Sequence, residues 1–372
     1  MKLIYPLRWL SVVLLLAIGF AVWPQIAHPQ LSEVEPLTDI FGGTAMIPAN
    51  GPNPEEPLTA LARGYYEFST TDLTLNGPIP LVLTRTYRSQ ELNGSGTAIA
   101  FEFGVGMASN YDLRLFSQSY VNNGNYKNMQ IVMPDGAQYN CDRTSSCSKG
   151  NCTDYTDAVF ECTNNPGSFF GAVVSYNSSD PGWNVQRKDG EIFYFPNGSA
   201  LTSITDRYQN SIIITRNSSG NPTEITDSNG RYINFYYTDS SNPEQITRAV
   251  DNVGRTVNYT YTSNSQMASV QDADGNTTQF TWGSIANMAT VIYPIDNLTG
   301  TITFNSIHRV TGTGGAFGDW IYAYPSGMQG NGIANWCKIT NPNSVLRQVY
   351  FDNNGYVTED IEADGLSIQQ TT

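Results

Sequence analysis

The sequence predicts an all-β fold: repeated β-hairpins forming a twisted, spiralling antiparallel sheet, preceded by a β-rich N-terminal domain. Three observations predict it. Charged residues are only 14% of the chain, against about 25% in an average globular domain, so few Glu, Lys and Arg are left for exposed helical faces. Aromatic residues make up 12%, with 22 Tyr, while 33 Gly and 35 Asn supply turns; aromatic rings suit pleated surfaces, and Gly and Asn tolerate left-handed backbone. The third observation is a repeat in the second half whose apolar positions step by two, the alternation of a strand. At 372 residues there is room for about two domains at roughly 150 residues each. A hydrophobic content of 40% is enough to drive collapse.

The first element is a leader. Met1 to Arg8 carries Lys2 and Arg8, and Trp9 to Ala21 is a run of apolar and small residues. This run falls short of the roughly twenty residues that a spanning helix needs and matches a secretory signal peptide, here residues 1–27. Gly19-Phe20-Ala21 offers small residues for cleavage, with Ala27 a second site. No Cys follows the run, which excludes a lipoprotein anchor; an uncleaved membrane anchor is the competing reading. The expected location is secreted or cell-surface, with no stable membrane span after cleavage. Residues 28–60 read as a linker, because seven of the 19 prolines lie between Pro24 and Pro57 and such a stretch cannot join a central strand. Folded structure is expected from Leu61 to Tyr66, with an N-terminal β domain over 61–182 and the repeats over 183–372.

Charge and histidine usage exclude several functions. The formal net charge is −14; without Lys2 and Arg8 the 33 acidic residues face 17 basic ones, a net of −16. Such a surface repels phosphate backbones, so nucleic acid is not an expected partner. Only His28 and His308 are present, too few for multi-His zinc sites or a choice of Ser-His-Asp relays. His308 reads as a partly exposed strand residue. No metal or other cofactor is expected.

Cys141, Cys147, Cys152 and Cys162 lie within 22 residues of a segment rich in Ser, Asn, Thr and Asp. In an oxidising compartment they read as two disulfides, with three pairings open. The spacings fit no common zinc pattern. Cys337 is left over as a buried thiol.

The repeat is carried by Asp206, Asp227, Asp251, Asp272 and Asp296, with successive gaps of 21, 24, 21 and 24. Gly230, Gly254 and Gly275 stand three residues after their aspartates. Ile212, Ile233, Val257 and Ile302 stand at plus six; Ile214, Phe235, Tyr259, Phe280 and Phe304 at plus eight; Tyr237, Tyr261 and Trp282 at plus ten. Asp-x-x-Gly is tight-turn chemistry: Asp caps its own backbone and Gly accepts positive φ. Each unit is thus a hairpin, too marginal to stand alone, that must pair laterally into a larger sheet. Arg187 to Phe195 fits as an earlier, shifted copy, Gly314 to Tyr324 as a degenerate one, and Asn341-Pro342-Asn343-Ser344 opens a later one.

Asp251 to Tyr261 (DNVGRTVNYTY) and Asp227 to Tyr237 (DSNGRYINFYY) resemble repeats of the Rhs (rearrangement hot spot) or YD-repeat family. Gly77 to Ser89 (GPIPLVLTRTYRS) resembles the segment that opens the domain preceding such repeats. Phe103-Gly104-Val105-Gly106-Met107, running on to Tyr111-Asp112-Leu113-Arg114-Leu115, is similar to its F-G-x-G-W…Y-D-L-R-L stretch, with Met107 in place of Trp and Cys141–Cys162 as an insertion. The resemblance spans about Gly64 to Gly365. It implies a spiralling β-sheet that, in relatives, closes as a hollow shell around a C-terminal toxin, or serves adhesion and carbohydrate contact at the cell surface. With roughly seven units and no recognisable core cleavage segment, the chain is expected to form part of a shell wall, as a truncated gene or a fragment.

The functional expectation is therefore an exported, non-enzymatic β-scaffold, with a toxin or cargo encoded downstream as its partner. The alternative is a surface protein that binds a cell-surface glycan through Tyr237, Tyr261 and Trp282; packing of those rings on the sheet's inner face is the competing structural reading. A glycosidase would need paired carboxylates in a cleft, whereas these aspartates have turn duties. Asp272-Ala273-Asp274-Gly275-Asn276 fits an EF-hand loop poorly.

Overall fold

The computed structural model describes residues 59–89, 100–117, 126–134, 138–147, 152–163, 167–196, 200–283, 287–326, 334–353, 357–362 and 367–370. Among them every regular element is a β-strand. The signal peptide and the linker lie outside the described residues, except Thr59 and Ala60, which end the expected linker and form a first strand.

The chain builds a small sheet first. Strands β1 (Thr59–Ala60), β2 (Tyr65–Leu75) and β3 (Leu81–Arg88) are followed by a ribbon of β4 (Ala100–Phe101) and β5 (Gly104–Val105), and β6 (Met107–Ser109) returns to pair with β3. The order is β1-β2-β3-β6.

Every described strand from Arg114 onward belongs to a second, much larger sheet. It comprises β7 (Arg114–Ser117), β8 (Asn128–Val132), β9 (Gln138–Arg143), β10 (Val159–Glu161), β11 (Val173–Asn177), β12 (Gly182–Gln186), β13 (Ile192–Pro196) and β14 (Ser203–Thr205). The repeats then supply β15 (Ser211–Arg216), β16 (Pro222–Asp227), β17 (Tyr232–Tyr236), β18 (Arg248–Asp251), β19 (Thr256–Tyr261), β20 (Met267–Gln271), β21 (Thr277–Trp282) and β22 (Met288–Ile292). It ends with β23 (Thr299–Phe304), β24 (Val310–Gly315), β25 (Ile321–Ala323), β26 (Trp336–Thr340), β27 (Leu346–Phe351), β28 (Val357–Glu362) and β29 (Ser367–Gln370). From β7 onward each strand runs antiparallel to its sequence neighbour, and the sheet closes on itself. The return contact is local: Arg114 in β7 bridges to Ala200, and the Leu201 amide donates to the Leu113 carbonyl over 3.2 Å. The expected division between residues 182 and 183 falls inside this sheet, where Gly182 in β12 pairs with Pro196 in β13. The change of sheet comes instead between Ser109 and Arg114.

Alternation decides which face is inside. In β15 Ile212 and Ile214 are buried while Ile213 between them is exposed; in β19 Val257 and Tyr259 are buried. Phe280, Val291 and Ile302 continue the row.

This inner face is covered by the chain's own N-terminal sheet. Phe68 packs edge-on against Phe280 (6.4 Å between centroids), Tyr87 against Trp282 (5.6 Å), and Phe103 leans on Tyr259 at 4.9 Å. Backbone bonds tie the two sheets together: Val105 N to Ser265 O (2.8 Å), Val310 N to Gly64 O (2.9 Å) and Ala334 N to Ala62 O (2.8 Å). One core cluster therefore spans both sheets. Each fully buried large side chain in it contributes about 2–3 kcal/mol relative to exposure.

Candidate functional site

The aspartates of the repeat sit where strands turn. The Asp227 amide donates to the Arg231 carbonyl (2.9 Å) and the Gly230 amide to the Asp227 carbonyl (3.0 Å). Asp227 Oδ1 accepts from the amides of Asn229 (3.0 Å) and Arg231 (2.8 Å), and Oδ2 accepts from Arg231 Nε at 2.8 Å. Asp251 repeats this with Val253, Arg255 and the Arg255 guanidinium. Asp206 and Asp272 do so with Asn210 and Asn276 in place of arginine. Each carboxylate is thus occupied by its own five-residue turn. Burial pulls the Asp227 carboxyl's pKa upward, but the bonds from Arg231 outweigh it and hold the group below the usual carboxylate value. At Asp206 the bond from the Asn210 amide lowers the pKa in the same sense. Gly230, Gly254 and Gly275 hold the third position after the aspartate with φ of +77°, +88° and +86°.

Asp296 departs from this scheme. The fifth turn starts at Tyr293, whose amide donates to Leu298 O (2.9 Å), and it is one residue longer. Asp296 and Asn297 take its two left-handed positions, with φ of 55° and 51°. The longer loop shifts the following strand, so that Ile302 aligns with Phe235 and Phe304 with Tyr237, two places from the expected register. Gly300 then falls where β17 has Ile233; a Cβ there would lie 2.4 Å from the Phe317 ring, which fills the space.

His308 is likewise in a turn, not a strand. It takes the left-handed place (φ 64°) of the loop capped by Asn305, whose Oδ1 accepts from Ile307 N (3.1 Å) and Arg309 N (3.0 Å). The opposite ends of the strands carry the same turn, opened by Asn217, Thr262 or Asn305. Sequence reading took in only the aspartate edge. The missed signal stands eleven residues after Asp206 and Asp251, at Asn217 and Thr262.

Tyr237, Tyr261 and Trp282 are the rings that the sequence offers for stacking on a sugar. They are partly buried and packed on the core. Each donates its polar hydrogen to a carbonyl fifteen residues earlier: Tyr237 Oη to Pro222 O (2.7 Å), Tyr261 Oη to Ile246 O (2.6 Å) and Trp282 Nε1 to Met267 O (2.7 Å). Their polar hydrogens are thus used within the sheet.

The cysteine segment connects β9 to β10. Cys141 pairs with Cys162 and Cys147 with Cys152, while Cys337 is buried. Two disulfides fit an oxidising compartment.

The charged groups that sequence reading passed over lie buried where the two sheets meet. A register shift in β2 between Thr71 and Leu73 leaves Asp72 outside the ladder, and such a bulge re-aims a side chain. Arg85 in β3 meets it with two bonds, Nε to Oδ2 at 2.5 Å and Nη2 to Oδ1 at 2.8 Å. Both side chains are only 3% exposed. Tyr259 of the repeat sheet donates to the same carboxylate over 2.7 Å. Burial would lower the Arg85 pKa, but the Asp72 charge prevails and raises it. Burial pushes the Tyr259 phenol well up, and the carboxylate beside it adds to the shift.

A second group surrounds Glu102, in the β4–β5 turn. Its Oε1 accepts from the Ser109 amide (2.9 Å), and its backbone carbonyl accepts from Ile246 N across the junction (2.8 Å). Burial, reinforced by the charge of Asp112, raises its carboxyl to about 7. Asp112 in turn accepts from Arg114 Nε over 2.9 Å. Arg216 in β15 reaches over with Nη2 to Tyr111 O (3.0 Å) and Nε to Leu201 O (3.1 Å). Arg85, Asp112 and Arg114 all lie in the stretches that carry the family resemblance, so a signal for them was present without a role attached. The Tyr259–Asp72 bond and the Ile246–Glu102 backbone bond tie the two sheets together. Among the described residues no cluster suited to a metal ion is present, and no helix is long and apolar enough to cross a membrane.

A family described as a domain of unknown function (DUF6531) matches residues 60–140, the first sheet and the start of the second. No curated protein matches the sequence. Among solved structures, TcdB2-TccC3 without its hypervariable C-terminal region is similar at 9% identity and a TM-score of 0.37, over 81% of this chain and 18% of that one. The Photorhabdus luminescens Tc holotoxin pore is similar at 10% identity and a TM-score of 0.29, again over 81% and 18%. A porin-like protein from Bacteroides uniformis is similar at 14% identity and a TM-score of 0.23, over 60% and 91%. The chain thus spans less than a fifth of the length of the toxin structures it matches, and at these scores the likeness carries no argument about activity.

Proposed function

We propose that the chain is an exported, non-enzymatic β-scaffold of the Rhs/YD-repeat kind, forming a plugged segment of shell wall, with any toxin or other cargo held by sequence downstream of it. The observation that carries this reading is the occupation of the inner face by strands β1 to β6, through Phe68, Tyr87 and Phe103. That face is filled by the chain itself, so the described wall serves as an end piece and not as an empty container. The repeated carboxylates, bound into their own turns, support a structural role. The leader sequence and the paired cysteines support export.

Limited proteolysis of the exported protein, read by mass spectrometry, tests the plug. The expected product is one resistant core that begins near Thr59 and keeps both sheets together. Cleavage between Ser109 and Arg114 that frees the first sheet while the second stays folded would overturn it. N-terminal sequencing of the same sample tests export, and an intact Met1 in secreted material would count against a cleaved leader.

A further inference from the structure

Glu102 and Asp112 are two carboxyl groups buried to 7% and 8% exposure at the seam between the sheets, and the turn mechanism makes no use of them. The segment carrying them is anchored on both sides. Phe103 N donates to Met107 O (3.3 Å), Asp112 N to Ser109 O (3.0 Å) and Tyr111 N to Ser109 Oγ (3.2 Å), so Ser109 links the two acids. Across the seam, Ile246 N bonds the Glu102 carbonyl and Gln245 Nε2 approaches Phe101 O at 3.4 Å.

The groups facing Glu102 are the Asp112 carboxylate, the Arg114 and Arg216 guanidiniums and the Tyr237 and Tyr261 phenols. Arg114 is committed to Asp112. Arg216 is spread over three backbone carbonyls, the third being Gly220 O at 2.9 Å. Both phenols donate to carbonyls of their own sheet. The two guanidiniums near Glu102 make their bonds elsewhere, and the Asp112 carboxylate repels its ionised form. Taking a proton onto Glu102 removes that repulsion and the cost of burying an anion.

We propose that Glu102 and Asp112 form a pH-sensitive latch that holds the N-terminal sheet on the repeat sheet, closed when Glu102 is protonated and loosened when it is ionised. The proton comes from solvent and returns to it. Folding raises this acid's pKa from the ordinary 4.5 to about 7, so the protonated latch is most stable below about pH 4.5 and its stabilisation is lost as pH rises through about 7. The latch needs only the seam's geometry and holds whether or not the chain carries cargo.

Hydrogen exchange of the full chain, read by mass spectrometry and corrected for intrinsic exchange, tests it at pH 5.5 and 8.5. From the raised pKa, the amides of Ser109 and Ile246 should open roughly thirty-fold more readily at pH 8.5, while amides of β21 change little. Glu102→Gln, a neutral isostere, should abolish that difference and keep the seam protected at both pH values. Asp112→Asn removes the repelling charge and should move the transition to lower pH, which serves as the check if the first variant folds poorly. Equal protection of the wild-type seam at both pH values overturns the proposal, as does a pH difference that persists in the Glu102→Gln protein.

Discussion

Gln209, Ser265, His308 and Ser344 hold left-handed backbone, with φ between 56° and 69°, at the turn position that Gly230, Gly254 and Gly275 fill elsewhere. A side chain there costs about 1–2 kcal/mol that glycine avoids. Nothing lies within 4 Å of where a Cβ on Gly254 would be, so Gly254→Ala should cost about 1 kcal/mol through backbone strain alone. Gln209→Gly should go the other way and raise stability by roughly 0.5–1 kcal/mol, once glycine's extra unfolded-state entropy is counted. Urea titrations of the two variants read both signs. The capping carboxylates differ in the same graded way. Asp251, with no side-chain exposure and a bonded Arg255, should lose about 2 kcal/mol on replacement by Ala, since it leaves buried donors unpaired. Asp272 lies in an exposed turn, and Asp272→Ala should cost less than Asp251→Ala in the same assay. A reversed order would show that the Arg255 contact contributes nothing.

At the scale of the element, the repeat is a strand pair turned at an aspartate and clasped at its open end by one ring. Tyr237, Tyr261 and Trp282 each reach back fifteen residues to a carbonyl at the start of the partner strand, which ties the two strands of one hairpin together as well as burying apolar surface. Tyr261→Phe keeps the packing and strands the Ile246 carbonyl, so a loss of about 1–2 kcal/mol is expected. The measurement is the midpoint of thermal unfolding, with glycan binding as a control that should stay absent in both proteins. The period and the strand alternation were readable because Ile212, Ile233 and Val257 recur at one distance from an aspartate. The fifth unit was not, since a turn lengthened by one residue at Asp296 and Asn297 moves every later position without changing the composition.

For the whole molecule, the seam between sheets is where long-range contacts concentrate charge. Asp72 is shared by Arg85 from its own sheet and Tyr259 from the other. Removing one partner of a buried ion pair leaves an uncompensated charge, so Asp72→Asn should destabilise the protein by about 3–5 kcal/mol. Because the pair locks one sheet to the other, the variant should also expose the seam to protease before the repeat sheet unfolds. Simultaneous loss of both sheets in that variant would mean that they melt as one unit regardless of the pair.

The sequence by itself determined the all-β class, the corner chemistry and the apolar, aromatic face of each strand, because these depend on neighbours a few residues apart: alternation, Asx capping and positive φ. Cys141 and its three companions could be grouped as two disulfides, yet their pairing waited for β9 and β10 to bring Cys141 beside Cys162. Only the tertiary structure decided that the N-terminal sheet covers the inner face of the repeats, through Phe68, Tyr87 and Phe103. It alone set Asp72 beside Tyr259 and Glu102 beside Ile246, across 187 residues in the first case. Nothing local distinguishes a buried Glu102 from an exposed one; its environment exists only after two distant sheets have closed on it.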